Sequence, residues 1–139
     1  MKNFSITILW AFLIAYSLSN CTNGSSNKTA TSGSSINQNL FAVAKQINKK
    51  CPIATDENTR LDSASVYNEY MITYHYTVHT VSNKDVDLKQ FKTTMENSMK
   101  EKYQTDPQLA IYRDSKIAIA YDYKDKAGGY LCYFIVGEK

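Results

Sequence analysis

The sequence predicts an α+β domain: an antiparallel sheet of about four strands with helices on one face, in the order α-β-β-α-β-β. Three observations predict it. Residues 70–81 alternate with a period of two, with Tyr70, Ile72, Tyr74, Tyr76 and Val78 on one side and Thr73, His75, Thr77 and His79 on the other. That period of two belongs to a strand with one packed face and one wetter face. Leu88, Phe91, Met95, Met99 and Tyr103 then recur at helical spacing. Last, a turn containing Gly128-Gly129 leads into Tyr130–Val136, a nearly unbroken apolar run that closes a hairpin. A cystatin-like roll is one arrangement of this kind.

Taken in order, the first helix is expected over 37–50. Leu40, Val43, Ala44 and Ile47 form its apolar stripe, Lys49 and Lys50 suit its C-terminal end, and Pro52 stops it. A short strand is expected over 60–66 and the long alternating one over 70–81. The second helix opens at Asp85 or Asp87. Asp87 followed by Gln90 has capping-box form, with Asp in place of Ser or Thr. Lys89, Lys92, Glu96, Lys100 and Glu101 are expected to face water. Asp106-Pro107 begins a short helical turn, Asp as its cap and Pro at the first helical position. Ile117, Ile119, Tyr121 and Tyr123 alternate with Ala118, Ala120 and Asp122 as the third strand.

The chain ahead of this domain reads as an export signal. After Met1-Lys2, the run Phe4–Leu18 is apolar for about 15 residues, the length of a signal-peptide core and short of the roughly 20 that span a bilayer. Leu18-Ser19-Asn20-Cys21 resembles a bacterial lipobox, which implies cleavage before Cys21 and attachment of lipid there. Ordinary cleavage after Ser19, with Ser17 and Ser19 both small, is the alternative. Residues 22–35 hold no large apolar side chain and suit a flexible tether. The organisation expected is a signal peptide over 1–20, a lipidated cysteine and tether over 21–36, and one domain over 37–139. Thr22 is not the Asp that resembles an inner-membrane retention signal, so the periplasmic side of the outer membrane is favoured, with a soluble periplasmic or secreted protein as the alternative.

Within the domain, the run from Ile47 through Cys51-Pro52, then Asp56, then Thr59-Arg60-Leu61-Asp62-Ser63, resembles a group of small exported or membrane-associated bacterial α+β proteins. Tyr121–Lys126 resembles their closing hairpin. The likeness implies the fold and no particular activity. Cys51 departs from that pattern.

Composition narrows the function classes. The formal charge is +3, with basic residues scattered among acids, so the basic stripe of a nucleic-acid binder is missing and no nucleic-acid partner is expected. Gly-rich phosphate loops, paired CxxC motifs and metalloprotease or nucleophile-elbow motifs are absent, and no catalytic residue, cofactor or metal is assigned. His75 and His79 share one strand face at roughly 13 Å, too far for one metal ion, and are read as solvent-facing. With Cys21 acylated, Cys51 and Cys132 remain as a possible disulfide worth roughly 2–4 kcal/mol, or as two free thiols. Asp56, Arg60 and Asp62 are a possible partner-contact loop; alternatively Asp56 makes an Asx-turn and Arg60 pairs with a nearby acid. The 11 tyrosines serve either a core poor in Leu or an interface.

These observations lead to a non-catalytic envelope lipoprotein, membrane-bound through its lipid, whose domain binds a protein or glycan of the envelope. A periplasmic hydrolase or transferase built on dispersed acids and a histidine is the alternative, and a histidine within about 4 Å of a carboxylate in a cleft would favour it.

Overall fold

The structure is a computed structural model and describes residues 40–137. The expected signal peptide, Cys21 and the tether lie outside the described residues. The elements are α1 (Leu40–Asn48), β1 (Ile53–Ala54), β2 (Thr59–Asn68), β3 (Met71–Val78), α2 (Leu88–Thr105), a 3-10 turn (Pro107–Leu109), α3 (Ala110–Asp114), β4 (Ala118–Asp125) and β5 (Tyr130–Val136). No helix among the described residues is long and apolar enough to cross a membrane.

The helices start where short polar side chains satisfy their free amides. Asp87 caps α2 by accepting from the Lys89 and Gln90 amides at 2.9 and 3.0 Å. Asp106 does the same for the 3-10 turn through Gln108 N–H at 2.8 Å. Fully buried Leu40 and nearly buried Ala44 seat α1, with Val43 and Ile47 packed beside them. On α2, Tyr103 is buried while Phe91, Met95 and Met99 pack against the core. Leu88 departs from the expected stripe and is exposed, as it lies on the first residue of the helix.

The α+β class stands, while the sheet differs from the expected one. It has five strands in the order β1-β2-β3-β4-β5. β1, two residues long, pairs antiparallel with β2 at Ile53↔Leu61 and was too short to show a pattern. More important, β3 and β4 run parallel, so the sheet is mixed and not the expected antiparallel roll. The reason is the connection: α2, the 3-10 turn and α3 carry the chain back to the end where β3 began. Such a helical crossover is what two parallel neighbours require. The alternating strand also ends early, at Val78, and leaves His79 beyond it with its amide bonded to Asn58 O at 2.8 Å.

Register aligns the sheet into rows. Val66, Ile72, Ile119 and Val136 form one, Ala64, Tyr74, Tyr121 and Phe134 the next, and Leu61, Tyr76, Tyr123 and Cys132 the third. The apolar residues of these rows belong to the same core as Leu40, Ala44 and the α2 stripe, apart from Leu61, which is itself buried. Both helices therefore cover one sheet face. The tyrosine excess is spent here. Tyr76 and Tyr123 stack at 5.0 Å between ring centroids, Tyr121 and Phe134 at 5.3 Å, and Phe91 meets Tyr123 edge-on at 6.4 Å. Each such pair adds about 0.5–1.5 kcal/mol beyond area burial. Burial pushes the phenols of Tyr74, Tyr76, Tyr121 and Tyr123 well above their ordinary range, so they stay neutral.

Candidate functional site

The second sheet face carries the polar rows, and it is where chemistry-bearing side chains meet. Ser63, His75, Asp122 and Tyr133 share one register row, and Ser65, Thr73, Ala120 and Ile135 the next. Parallel pairing sets His75 directly beside Asp122, with His75 Nδ1 2.9 Å from Asp122 Oδ2. On its other side His75 Nε2 lies 2.8 Å from Ser65 Oγ, a diagonal neighbour on β2. The histidine read as solvent-facing is instead held from both sides and is only one-third exposed.

The row below is locked as well. A register shift between Leu61 and Ser63 makes Asp62 the extra residue of a bulge. Bulges re-aim side chains, and this carboxylate reaches both Arg60 Nε at 2.6 Å and Thr77 Oγ1 at 2.5 Å. The three residues expected to form a contact loop are thereby separated. Arg60 and Asp62 are strand residues paired with one another. Asp56 sits apart in an Asx-turn, its Oδ1 accepting the Asn58 amide at 2.7 Å.

Ser65, His75 and Asp122 have the hydrogen-bond connectivity of a nucleophile, a base and an orienting carboxylate. What that chemistry further needs is donors for a developing oxyanion and a cleft to hold the substrate. Neighbouring Ala64 turns its amide and carbonyl outward, where Asn48 Oδ1 and Nδ2 meet them at 2.7 and 2.8 Å. The Ser65 amide therefore points inward to β3 in the ladder and is committed there. One cleft among the described residues lies away from these three, lined by Lys100, Tyr103, Arg113, Lys116 and Gly137. The distance criterion for a hydrolase is met at His75.

The described residues hold no cluster of three or more His, Cys, Asp or Glu suited to a metal ion. Of the two readings of Cys51 and Cys132, a disulfide or two free thiols, the structure has them unbridged. Cys51 leads into β1 at one sheet edge and Cys132 lies on β5 at the other. Those edges are four strand spacings apart, roughly 19 Å, whereas a bridge needs α-carbons within about 7 Å. Burial pushes the Cys132 thiol up to about 12. Burial, then the Asp62 charge, raises Cys51 less strongly. Neither is prepared as a nucleophile.

Residues 35–132 match the model of a family described as a domain of unknown function, DUF8479. The chain belongs to the DUF8479 family. No curated protein matches this DUF8479 chain by sequence. Three solved structures share its fold. One is PA3611 of Pseudomonas aeruginosa, named as a secreted protein: TM-score 0.56 and 12% identity over 72% of this chain and 87% of that one. Another is EpsS, a pilotin from the type 2 secretion system of Vibrio vulnificus: TM-score 0.54 and 10% identity over 73% and 90%. The third is AspS, the type II secretion system pilotin of Vibrio cholerae: TM-score 0.53 and 11% identity over 70% and 84%. At these identities the likeness is one of fold.

Proposed function

We propose that this DUF8479 chain is a non-catalytic lipoprotein of the bacterial envelope, anchored by lipid on Cys21, whose domain binds another envelope protein through the polar sheet face. The observation that carries this reading is the fold, shared across most of the domain with two pilotins of secretion systems and a protein named as secreted. A leader and a tether of the expected kind would deliver such a domain to the periplasmic side of the outer membrane. The partner in this reading is a protein of an envelope assembly. The polar rows support the choice of face. Arg60, Asp62, Thr77, Ser65, His75 and Asp122 are already held by one another. Docking onto them would cost little side-chain entropy. Tyr133 in the same face is 37% exposed and offers an aromatic contact.

A photo-crosslinking residue placed at Ser63 or Tyr133, in cells, tests this reading, with Lys92 on α2 as the control position. A discrete adduct of one envelope protein from the sheet face, absent at Lys92, is the expected result. Equal labelling from all three positions, or none from the sheet face, contradicts it.

A second reading is favoured by the 2.8 and 2.9 Å contacts of His75: a hydrolase with Ser65 as nucleophile, His75 as base and Asp122 as orienter. Its test is labelling with a fluorophosphonate. Stoichiometric modification that disappears in Ser65→Ala supports it, and an unlabelled folded protein rules against it.

A further inference from the structure

One end of the domain is unlike the rest of its surface. The rows start there: Asn68, Met71 and Ala118 pair across it, and Val136 on β5 ends there. Three independent features converge on this end. The first is exposed apolar area. Tyr67 is 88% exposed and Tyr70 56%, both at the β2–β3 hairpin, where a register shift between Val66 and Asn68 leaves Tyr67 as the extra residue. Ile111, on the short helix leading into β4, is 51% exposed. Contiguous apolar patches of more than a few hundred Å² mark protein or membrane contact sites.

The second feature is charge. The cleft of about 460 Å³ at this end is lined by Lys100, Arg113 and Lys116 around Tyr103, Val136 and Gly137. Arg113 is fixed there by donating to the carbonyls of Tyr103 and Asp106 at 2.5 and 2.9 Å. Lys100 is shared with Glu96 at 2.8 Å. Acids are interspersed with these bases: Glu96 pairs with Lys100, and Glu69, Glu101, Asp106 and Asp114 lie toward the same end. Basic side chains beside exposed aromatics match a surface of phosphate headgroups over an apolar layer. Tyrosine rings prefer that boundary and cations are drawn to anionic lipid.

The third feature is where the chain enters. The α1 helix packs along β2. Its last residue, Asn48, bonds to Ala64, and the chain then pairs through β1 with Leu61 and Arg60. Eight residues back at about 1.5 Å each is roughly 12 Å, which puts Leu40 and Phe41 toward the Asn68 end. Phe41 is 58% exposed. The 39 preceding residues therefore join the domain at its aromatic and basic end.

We infer that this end of the domain rests on the lipid bilayer, with Phe41, Tyr67, Tyr70 and Ile111 at the headgroup boundary and Lys100, Arg113 and Lys116 over anionic headgroups. The inference rests on the lipid-anchor reading, and it adds an orientation: the polar sheet face stands at the side of an upright domain, open to a partner.

The experiment uses the full chain, produced with its own leader and reconstituted in phosphatidylcholine–phosphatidylglycerol vesicles carrying brominated acyl chains. The chain has a single tryptophan, Trp10, in the leader. Two variants, Tyr67→Trp and Tyr130→Trp, therefore share any background and report opposite ends of the sheet. Tyr130 is 53% exposed on the β4–β5 hairpin. The expected result is flotation of both, with quenching at position 67 roughly twofold or more above that at position 130. Adding Lys116→Glu to Tyr67→Trp should lower that quenching. Flotation with equal quenching, or with none at position 67, overturns the orientation while leaving the anchor intact. An acidic protein docking on this end would give the latter pattern. Failure of either variant to float overturns the anchor reading and the orientation with it.

Discussion

His75 and Asp122, 47 residues apart in the chain, stand at the same register position of β3 and β4 with 2.9 Å between Nδ1 and Oδ2. This contact exists only because those two strands are parallel. It fixes the imidazole on the polar sheet face, with Nε2 turned to Ser65. Asp122 has 18% of its side chain exposed and His75 33%, so solvent screens the pair in part. A double-mutant cycle with His75→Ala and Asp122→Ala should give a coupling of about 0.5–1 kcal/mol in urea unfolding. A coupling well above that would make the pair a structural keystone and not a surface feature.

Leu40 is the large side chain by which α1 is seated, and it is fully buried. Leu40→Ala should cost about 2–4 kcal/mol, through lost transfer energy and the cavity left behind. The accompanying change should be selective. Amide exchange of α1 and of Ala64 on β2 should rise before that of β4 and β5. A loss of less than about 1 kcal/mol would mean that α1 contributes little to the fold.

Asp125 closes the β4–β5 hairpin by accepting from the amides of Asn83, Ala127 and Gly129 at 3.0, 2.9 and 2.7 Å. These bonds, the Asn83 and Gly129 amides foremost, hold its carboxyl below the usual range against the opposing effect of burial. A folded-state pKa below the unfolded value means that the contribution is present in full above the ordinary carboxylate pKa. It is lost as pH falls through the lowered folded value. Asp125→Asn should therefore be less stable than the parent at pH 7, and the gap should narrow on titration below about pH 4. A gap independent of pH would contradict the assignment. Gly129 belongs to the same device, since a β-carbon there would meet Asn83 Nδ2 at 2.6 Å and Asp125 Oδ2 at 2.8 Å.

The two domain cysteines should remain thiols even under oxidising conditions. Intact mass after alkylation of the native protein should show at most slow labelling of Cys51. Cys132, buried and with its thiol pushed up to about 12, should label only after unfolding. Reductant should leave the unfolding temperature unchanged. A Cys51–Cys132 bridge in the folded protein would require a different strand order.

Much of the fold could be read from residue patterns because local physics dictates it. Alternation of Tyr74 and Tyr76 with His75 and Thr77 identified a strand and its two faces. Asp87 and Asp106 marked helix starts, and the expected span of β5 matches the observed Tyr130–Val136. The tyrosines went chiefly to the core, as rows of four strands explain. What was not legible depends on pairing between distant segments. The 18-residue helix between two clear strands was the available signal for a parallel crossover, and an antiparallel sheet was expected in spite of it. Once that direction was missed, the meeting of His75 with Asp122 could not be seen. Nor could the placement of Cys51 and Cys132 at opposite edges. Asp62 reached Thr77 through a bulge, which shifts register by one residue without any periodic trace.

The account depends most on the anchor at Cys21, and intact-mass measurement of the protein extracted from the envelope tests it most directly. The predicted species begins at Cys21 and carries the mass of a diacylglyceryl group with acyl chains, with Cys51 and Cys132 as free thiols. An unmodified chain at the full 15.8 kDa, or a trimmed chain without acyl mass, would contradict it.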